Sequence, residues 1–237
     1  MVNYKDVTLC KLALASTLYG SLTPFNRSLG RLGKATSNSI DLTNREHRLS
    51  LLTWLNEWGC RNLPREQHGV ASDSILKWYE VYSASLFSNE KPLWDLPDVD
   101  LEITARSYGS LKDEIGAWRV RGKSKRKVHI GPTAASKILF ILRPKALMPW
   151  DEAMRIAYEC DGSPESYVKY QKIIRELAIH IRGLCKKRGF QIDDLPQRLG
   201  RDNSTVLALI NEYIWVTVTR KVKLPSSETL AQWASLD

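Results

Sequence analysis

The sequence predicts an all-α fold, and three features lead there. Apolar residues recur at helical spacing through most of its 237 residues. Capping residues and glycines stand where those segments begin and end. No stretch demands a strand, although Val206 to Val218 is rich in β-branched residues and reads either way.

Taken in order, Leu9 to Tyr19 reads as a first helix, and the polar, glycine-bearing stretch Gly20 to Thr43 as turns. Asn44 caps a helix through Trp58, with Leu49, Leu52 and Leu55 on one face and Gly59 closing it. Ser72 or Asp73 caps the next, Ile75 to Phe87. Glu90 to Glu102 carries five acids and two prolines and reads as an extended crossing between two lobes, 1–100 and 101–237. Helical spacing resumes over Leu101 to Trp118. Pro132 follows Gly131 at a favoured first helical position, and Thr133 to Leu142 continues that helix until Arg143-Pro144. After the apolar turn Ala146 to Trp150, Asp151 opens a helix, Glu152 to Cys160, closed by Gly162. Ser163-Pro164-Glu165 opens the longest helix, which reaches Arg188 and stops at Gly189. Asn203 starts the ambiguous segment, and Ser226 or Ser227 caps a short last helix through Trp233.

Apolar residues make up 43% and charged residues 26%, which excludes a disordered or fibrous chain. No segment approaches the roughly 20 apolar residues that span a bilayer. Asp6 and Lys11 interrupt what would be a signal core, so the expectation is a cytoplasmic protein with no membrane partner. Cys10, Cys60, Cys160 and Cys185 are too dispersed for a zinc site, so no metal and no cofactor are expected; they read as reduced, buried thiols.

The net charge of +9 is concentrated. Nine Lys and Arg and no acid lie between Arg119 and Lys145, leaving the rest of the chain neutral in sum. A local field of one sign suits a polyphosphate partner, because each neutralised phosphate releases condensed counterions. A solvated basic loop is the plain alternative.

The chemistry concentrates in Val128-His129-Ile130-Gly131-Pro132-Thr133-Ala134-Ala135 and in Pro149-Trp150-Asp151. An apolar residue, a glycine and a helix start make a tight turn whose bare amides can grip a phosphate. Asp151 falls at another helix start, where unpaired amides suit a carboxylate, and a carboxylate beside an aromatic can stabilise a cation.

The stretch GPTAASKILFILRPKALMPWDEAMR resembles the hairpin and catalytic segment of the helix-hairpin-helix DNA glycosylases, the superfamily of endonuclease III, adenine glycosylase and oxoguanine glycosylase. Gly131 matches the last hairpin glycine, Ala135 the helix alanine, Pro149 the proline and Asp151 the catalytic aspartate. The resemblance covers about 30 residues. It implies a fold of two helical lobes flanking a basic cleft, with double-stranded DNA as partner and a monomer as the working form. Asp151 would be the catalytic group acting on a flipped-out base. Trp150, Trp118 and Tyr79 would contact that base, with Trp78 as a further stacking surface. The amides of Ile130, Gly131 and Thr133, with His129 and Lys137, would hold a phosphate. Arg119, Arg121, Lys123, Lys125, Arg126 and Lys127 would bind flanking backbone.

The departures are informative. Thr133 stands where bifunctional members carry the Schiff-base lysine, so a monofunctional glycosylase leaving an abasic site is expected, with Lys137, one turn on, as a substitute amine to weigh. His129 replaces the first hairpin glycine, and the four-cysteine iron-sulfur pattern is absent. The residues before 100 match no repair subfamily, which raises a specialised substrate, such as a hypermodified cytosine of phage DNA removed in antiviral defence. The alternative is a non-catalytic helix-hairpin-helix protein that binds nucleic acid, with Asp151 only a helix cap.

Overall fold

A computed structural model of the chain describes residues 4–88, 90–233 and 235. It is mostly helical, as the helical spacing predicts, and among the described residues it adds one small two-stranded sheet that the spacing does not predict. The N-terminal part holds α1 (Leu9–Leu22), α2 (Phe25–Ala35), α3 (Arg45–Glu57) and α4 (His68–Tyr82). Then come α5 (Asp98–Asp113), strands β1 (Ile115–Arg121) and β2 (Ser124–His129), and α6 (Gly131–Leu142). The remainder is α7 (Glu152–Ala157), α8 (Pro164–Lys187), α9 (Leu195–Arg198), α10 (Val206–Ile214), a π-helical turn Trp215–Thr219 and α11 (Ser227–Trp233).

Local chemistry explains most of the boundaries. The side chains of Asn44, Asp151 and Ser163 each accept a backbone N–H at the start of α3, α7 and α8, a cap worth about 1 kcal/mol apiece. Gly59 and Gly189 take positive φ just past their helices, whereas α7 ends at Ala157, short of the expected Cys160, with Glu159 at φ +53 in place of Gly162, which instead precedes the α8 cap. Thr205, rather than Asn203, caps α10, and the β-branched run after it is helical, ending in the π turn.

Three predicted elements are corrected. Gly20 to Thr43 is not all turn: Phe25–Ala35 is a helix despite Gly30 and Gly33, because Phe25, Leu29 and Leu32 share a face that packs on the core. The helix α4 begins at His68, ahead of Ser72, which is buried and accepts a 2.9 Å hydrogen bond from Arg48 Nε instead of capping. The predicted helix through Trp118 stops at Asp113, where the chain turns into an antiparallel ribbon. Gly116 sits where a Cβ would lie 2.4 Å from Leu63 and 3.3 Å from the Ile130 amide nitrogen, so the ribbon's base closes only around a glycine.

One buried cluster draws on every part of the chain, from Val7 through Trp54 and Tyr108 to Val216. The expected extended crossing Glu90 to Glu102 instead holds a 3-10 turn, Leu93–Asp95, and the start of α5, whose acids Asp98 and Asp100 suit a helix N-terminus, so the expected boundary at residue 100 falls inside α5, which packs on both α6 and α8. Three cysteines are buried free thiols as expected, whereas Cys10 is exposed on α1. No helix among the described residues is long and apolar enough to cross a membrane.

Candidate active site

The segment Ala146–Trp150 is buried and has no regular structure, so its backbone polar groups must find side-chain partners. Gln171 of α8 supplies a pair: its Oε1 accepts from Met148 N and its Nε2 donates to Met148 O, both at 2.9 Å. Ser136 Oγ of α6 accepts from Trp150 N at 3.2 Å, and the Trp150 indole donates to Pro132 O at 3.1 Å. The strap leading to Asp151 is thereby tied to both α6 and α8.

Both Asp151 oxygens are then held. Oδ1 accepts from Met154 N at 2.8 Å, the cap of α7, and Oδ2 accepts from Thr219 Oγ1 at 2.7 Å, at the end of the π turn. Two hydrogen bonds of this kind fix the carboxylate's plane and leave lone pairs facing outward.

At the start of α6, Gly131 takes φ +82, and Asn62 Nδ2 donates to both His129 O (3.0 Å) and Ile130 O (3.2 Å). His129 Nδ1 lies 2.5 Å from Asp113 O, which requires the proton on Nδ1. The Ile130 side chain is buried and its amide donates to Glu114 O at 2.9 Å. Ile130 therefore has no amide to offer a phosphate; Gly131 and Thr133, in the first turn of the helix, do.

Asp151 and the α6 start line one cavity of about 590 Å³, within the size range of ligand clefts. Its aromatic walls are Tyr19, Phe25, Trp58 and Trp215. Tyr19 and Trp215 meet edge to face at 5.0 Å, and Phe25 lies 5.6 Å from Trp58 and 6.0 Å from Trp215. Lys137 enters from α6. It is 7% exposed, donates to the Trp58 carbonyl, and sits 5.1 Å from the centre of the Trp58 ring. Burial pulls its ammonium below the usual lysine range, while Cys60 and Asp151 pull the other way. The Cys60 thiol beside it is pushed up by the same burial.

The other predicted residues are dispersed. Trp150 is 1% exposed and gives only part of its surface to the cavity, serving mainly as a strut among Tyr108, Tyr167 and Tyr170. Trp118 and Tyr79 are not on the cavity. Trp118 lies in β1 with Lys125 Nζ 4.3 Å from its ring centre, and Tyr79 packs beside Trp78, whose indole is buried, on α4. Arg119, Arg121, Lys123, Lys125, Arg126 and Lys127 are all exposed on the ribbon and its turn. Gln67 anchors that ribbon, donating to Trp118 O at 2.8 Å and accepting from Trp118 N at 2.6 Å. Arg143 and Lys145, the other end of the basic window, bind Phe87 O and Glu90 instead.

Sequence reasoning missed the cavity's walls: Phe25, Trp58 with Asn62, and Trp215 come from three separate segments. A second cleft of about 590 Å³ lies between α2 and residues 200–205, with the Arg201–Glu212 ion pair at its edge, and holds none of the predicted groups. The first cavity is the candidate site because Asp151 and the first turn of α6 line it. No cluster of His, Cys, Asp and Glu fit to hold a metal occurs among the described residues. Comparison with family models, with curated proteins and with solved structures finds no match to this chain.

Proposed function

We propose that this chain is a monofunctional DNA glycosylase of helix-hairpin-helix type, hydrolysing the N-glycosidic bond of a modified base to leave an abasic site. The observation that carries the reading is the shared cavity: Asp151, the first-turn amides of α6 and an aromatic lining open onto one space beside an exposed cationic ribbon.

A base inside a duplex is out of reach, so the nucleotide is flipped into the cavity and held against Phe25, Trp58 and Trp215. The amides of Gly131 and Thr133 hold a neighbouring phosphate. The C1′–N bond breaks with its electron pair leaving on the base, and the sugar gains oxocarbenium character. The Asp151 carboxylate stabilises that charge and orients water, whose oxygen bonds to C1′ as its proton passes to the carboxylate and on to solvent. The two hydrogen bonds on Asp151 suit this role, since a carboxylate already oriented has no reorganisation to undergo in the transition state. The ribbon cations supply salt-sensitive affinity for flanking backbone. A bulky modified cytosine of invading DNA remains the specialised substrate that the cavity's size admits.

The rival reading is a non-catalytic nucleic-acid binder. It draws on the same pair of hydrogen bonds, which also describe a well-made helix cap. The test is incubation of wild type and Asp151→Asn with duplexes bearing deaminated, oxidised, alkylated and hypermodified bases. Alkali-labile sites that form with wild type and vanish in the variant support the glycosylase; salt-sensitive binding with no abasic product supports the binder.

A further inference from the structure

An aromatic cavity is ordinarily suited to a cationic guest, because ring faces attract positive charge. Here the best such face is already occupied. Lys137 Nζ lies 5.1 Å from the Trp58 ring centre and is in no ion pair within 4 Å among the described residues. Its Nζ carries three donors, of which the Trp58 carbonyl takes one and the Cys60 thiol faces another, leaving one for a guest. Trp58 Nε1 is buried without an acceptor among the described residues. Around the opening, Arg61 and Arg155 add positive charge, and the carboxylates are Asp151 and the exposed Glu152. Asp151 is engaged with Thr219 and Met154 and, in the mechanism above, with the sugar. Three cations thus stand against two carboxylates, and the buried cation that the base itself would meet is Lys137.

We infer that the cavity selects an uncharged base that presents carbonyl-type acceptors, and rejects cationic alkylated purines, with Lys137 as the residue that decides. The inference rests on the glycosylase reading of the cavity and names its substrate class. A neutral base accepts from the ammonium in the ground state. As the C1′–N bond breaks, the electron pair that moves onto the base makes its oxygens better acceptors, so the same contact strengthens in the transition state. A base already carrying a positive charge meets repulsion at short range from the buried Lys137.

The test uses uncleavable duplexes carrying 2′-fluoro nucleotides of uracil, 5-hydroxymethylcytosine or 7-methylguanine, with Kd measured for wild type, Lys137→Met and Lys137→Arg. Methionine keeps the volume and removes the charge, and circular dichroism with the thermal midpoint verifies that each variant folds. Wild type is expected to bind at least one neutral-base duplex about tenfold more tightly than the 7-methylguanine duplex. Lys137→Met should erase most of that ratio, and Lys137→Arg should retain more of it. Equal or tighter binding of 7-methylguanine by wild type overturns the inference, as does a ratio unchanged in a folded Lys137→Met. If Lys137→Met does not fold, Lys137→Gln, which also removes the charge, takes its place with the same expected loss of the ratio. Cleavable versions of the duplexes separate the two claims: a binding preference with no abasic product on any of them strikes the glycosylase reading and leaves the selectivity standing.

Discussion

Thr219 Oγ1 donates a 2.7 Å hydrogen bond to Asp151 Oδ2 across 68 residues of sequence. Thr219 closes a π-helical turn whose first residue, Trp215, walls the cavity. One five-residue element thus shapes the space and orients the carboxylate, and π turns of this kind often mark functional sites. The plain helix cap, Met154 N on Oδ1, would hold Asp151 without it.

Replacing Thr219 by valine keeps the shape and removes the donor. A single hydrogen bond to a charged group is worth about 1.5–3 kcal/mol, so kcat for base release should fall by about tenfold to a hundredfold. DNA affinity should change little, while the thermal midpoint should drop by several degrees. Single-turnover kinetics beside a binding isotherm check this; a loss of binding equal to the loss of rate would count against a role in orientation.

On the ribbon, Arg119 stands directly opposite Arg126, a like-charge pair that costs free energy in the isolated protein. Their joint replacement by alanine should weaken duplex binding and reduce the slope of log Kd against log salt by about two. Folding stability should hold or rise slightly. A salt titration and a melt report both.

Gly131 is needed for its conformation rather than for space, since a Cβ there would meet only Asn62 Nδ2 at 3.8 Å while φ is +82. Gly131→Ala should cost about 1–2 kcal/mol of stability. It should also shift the α6 amides and weaken binding to an abasic-site duplex. Urea unfolding and a gel-shift titration measure the two effects.

His68 is buried, with Nε2 2.9 Å from Asn56 Oδ1, and Asn56 Nδ2 in turn donates to Cys60 O and Leu63 O. This network shapes the loop carrying Cys60, Arg61 and Asn62 into the cavity wall. Burial lowers the His68 pKa below 6.5, so the unfolded chain takes up its proton first as the solution is acidified. Stability should therefore decline as pH falls below about 6.5 until the folded form also protonates. His68→Gln should flatten that part of the curve, as chemical denaturation at pH 7.5, 6.5 and 5.5 would show.

The parts of the site legible in the sequence are those set by local rules. Asp151 as a cap, Gly131-Pro132 as a helix start and the Ser163-Pro164 opening all depend on neighbours within one turn. Gly30 and Gly33 hid α2, because its helical face rests on only Phe25, Leu29 and Leu32. The ribbon was hidden because its two cationic strands bury almost nothing beyond Ala117 and have no apolar alternation to read. The cavity was out of reach for a different reason: Phe25, the Trp58–Asn62 stretch, Lys137 and Trp215 are far apart in sequence, and only the packing of α2, α3, α6 and the π turn brings them to Asp151. Gly59 at the end of α3 was the one local sign that Trp58 stands at an edge.

The most direct measurement is abasic-site formation by wild type and Asp151→Asn, side by side with duplex binding, across the panel of modified bases. The account predicts that one or more uncharged modified bases are released by wild type, that the variant loses at least about a hundredfold in rate, and that both proteins bind DNA alike. Equal product from the two proteins, or no product from any base despite tight binding, would contradict it.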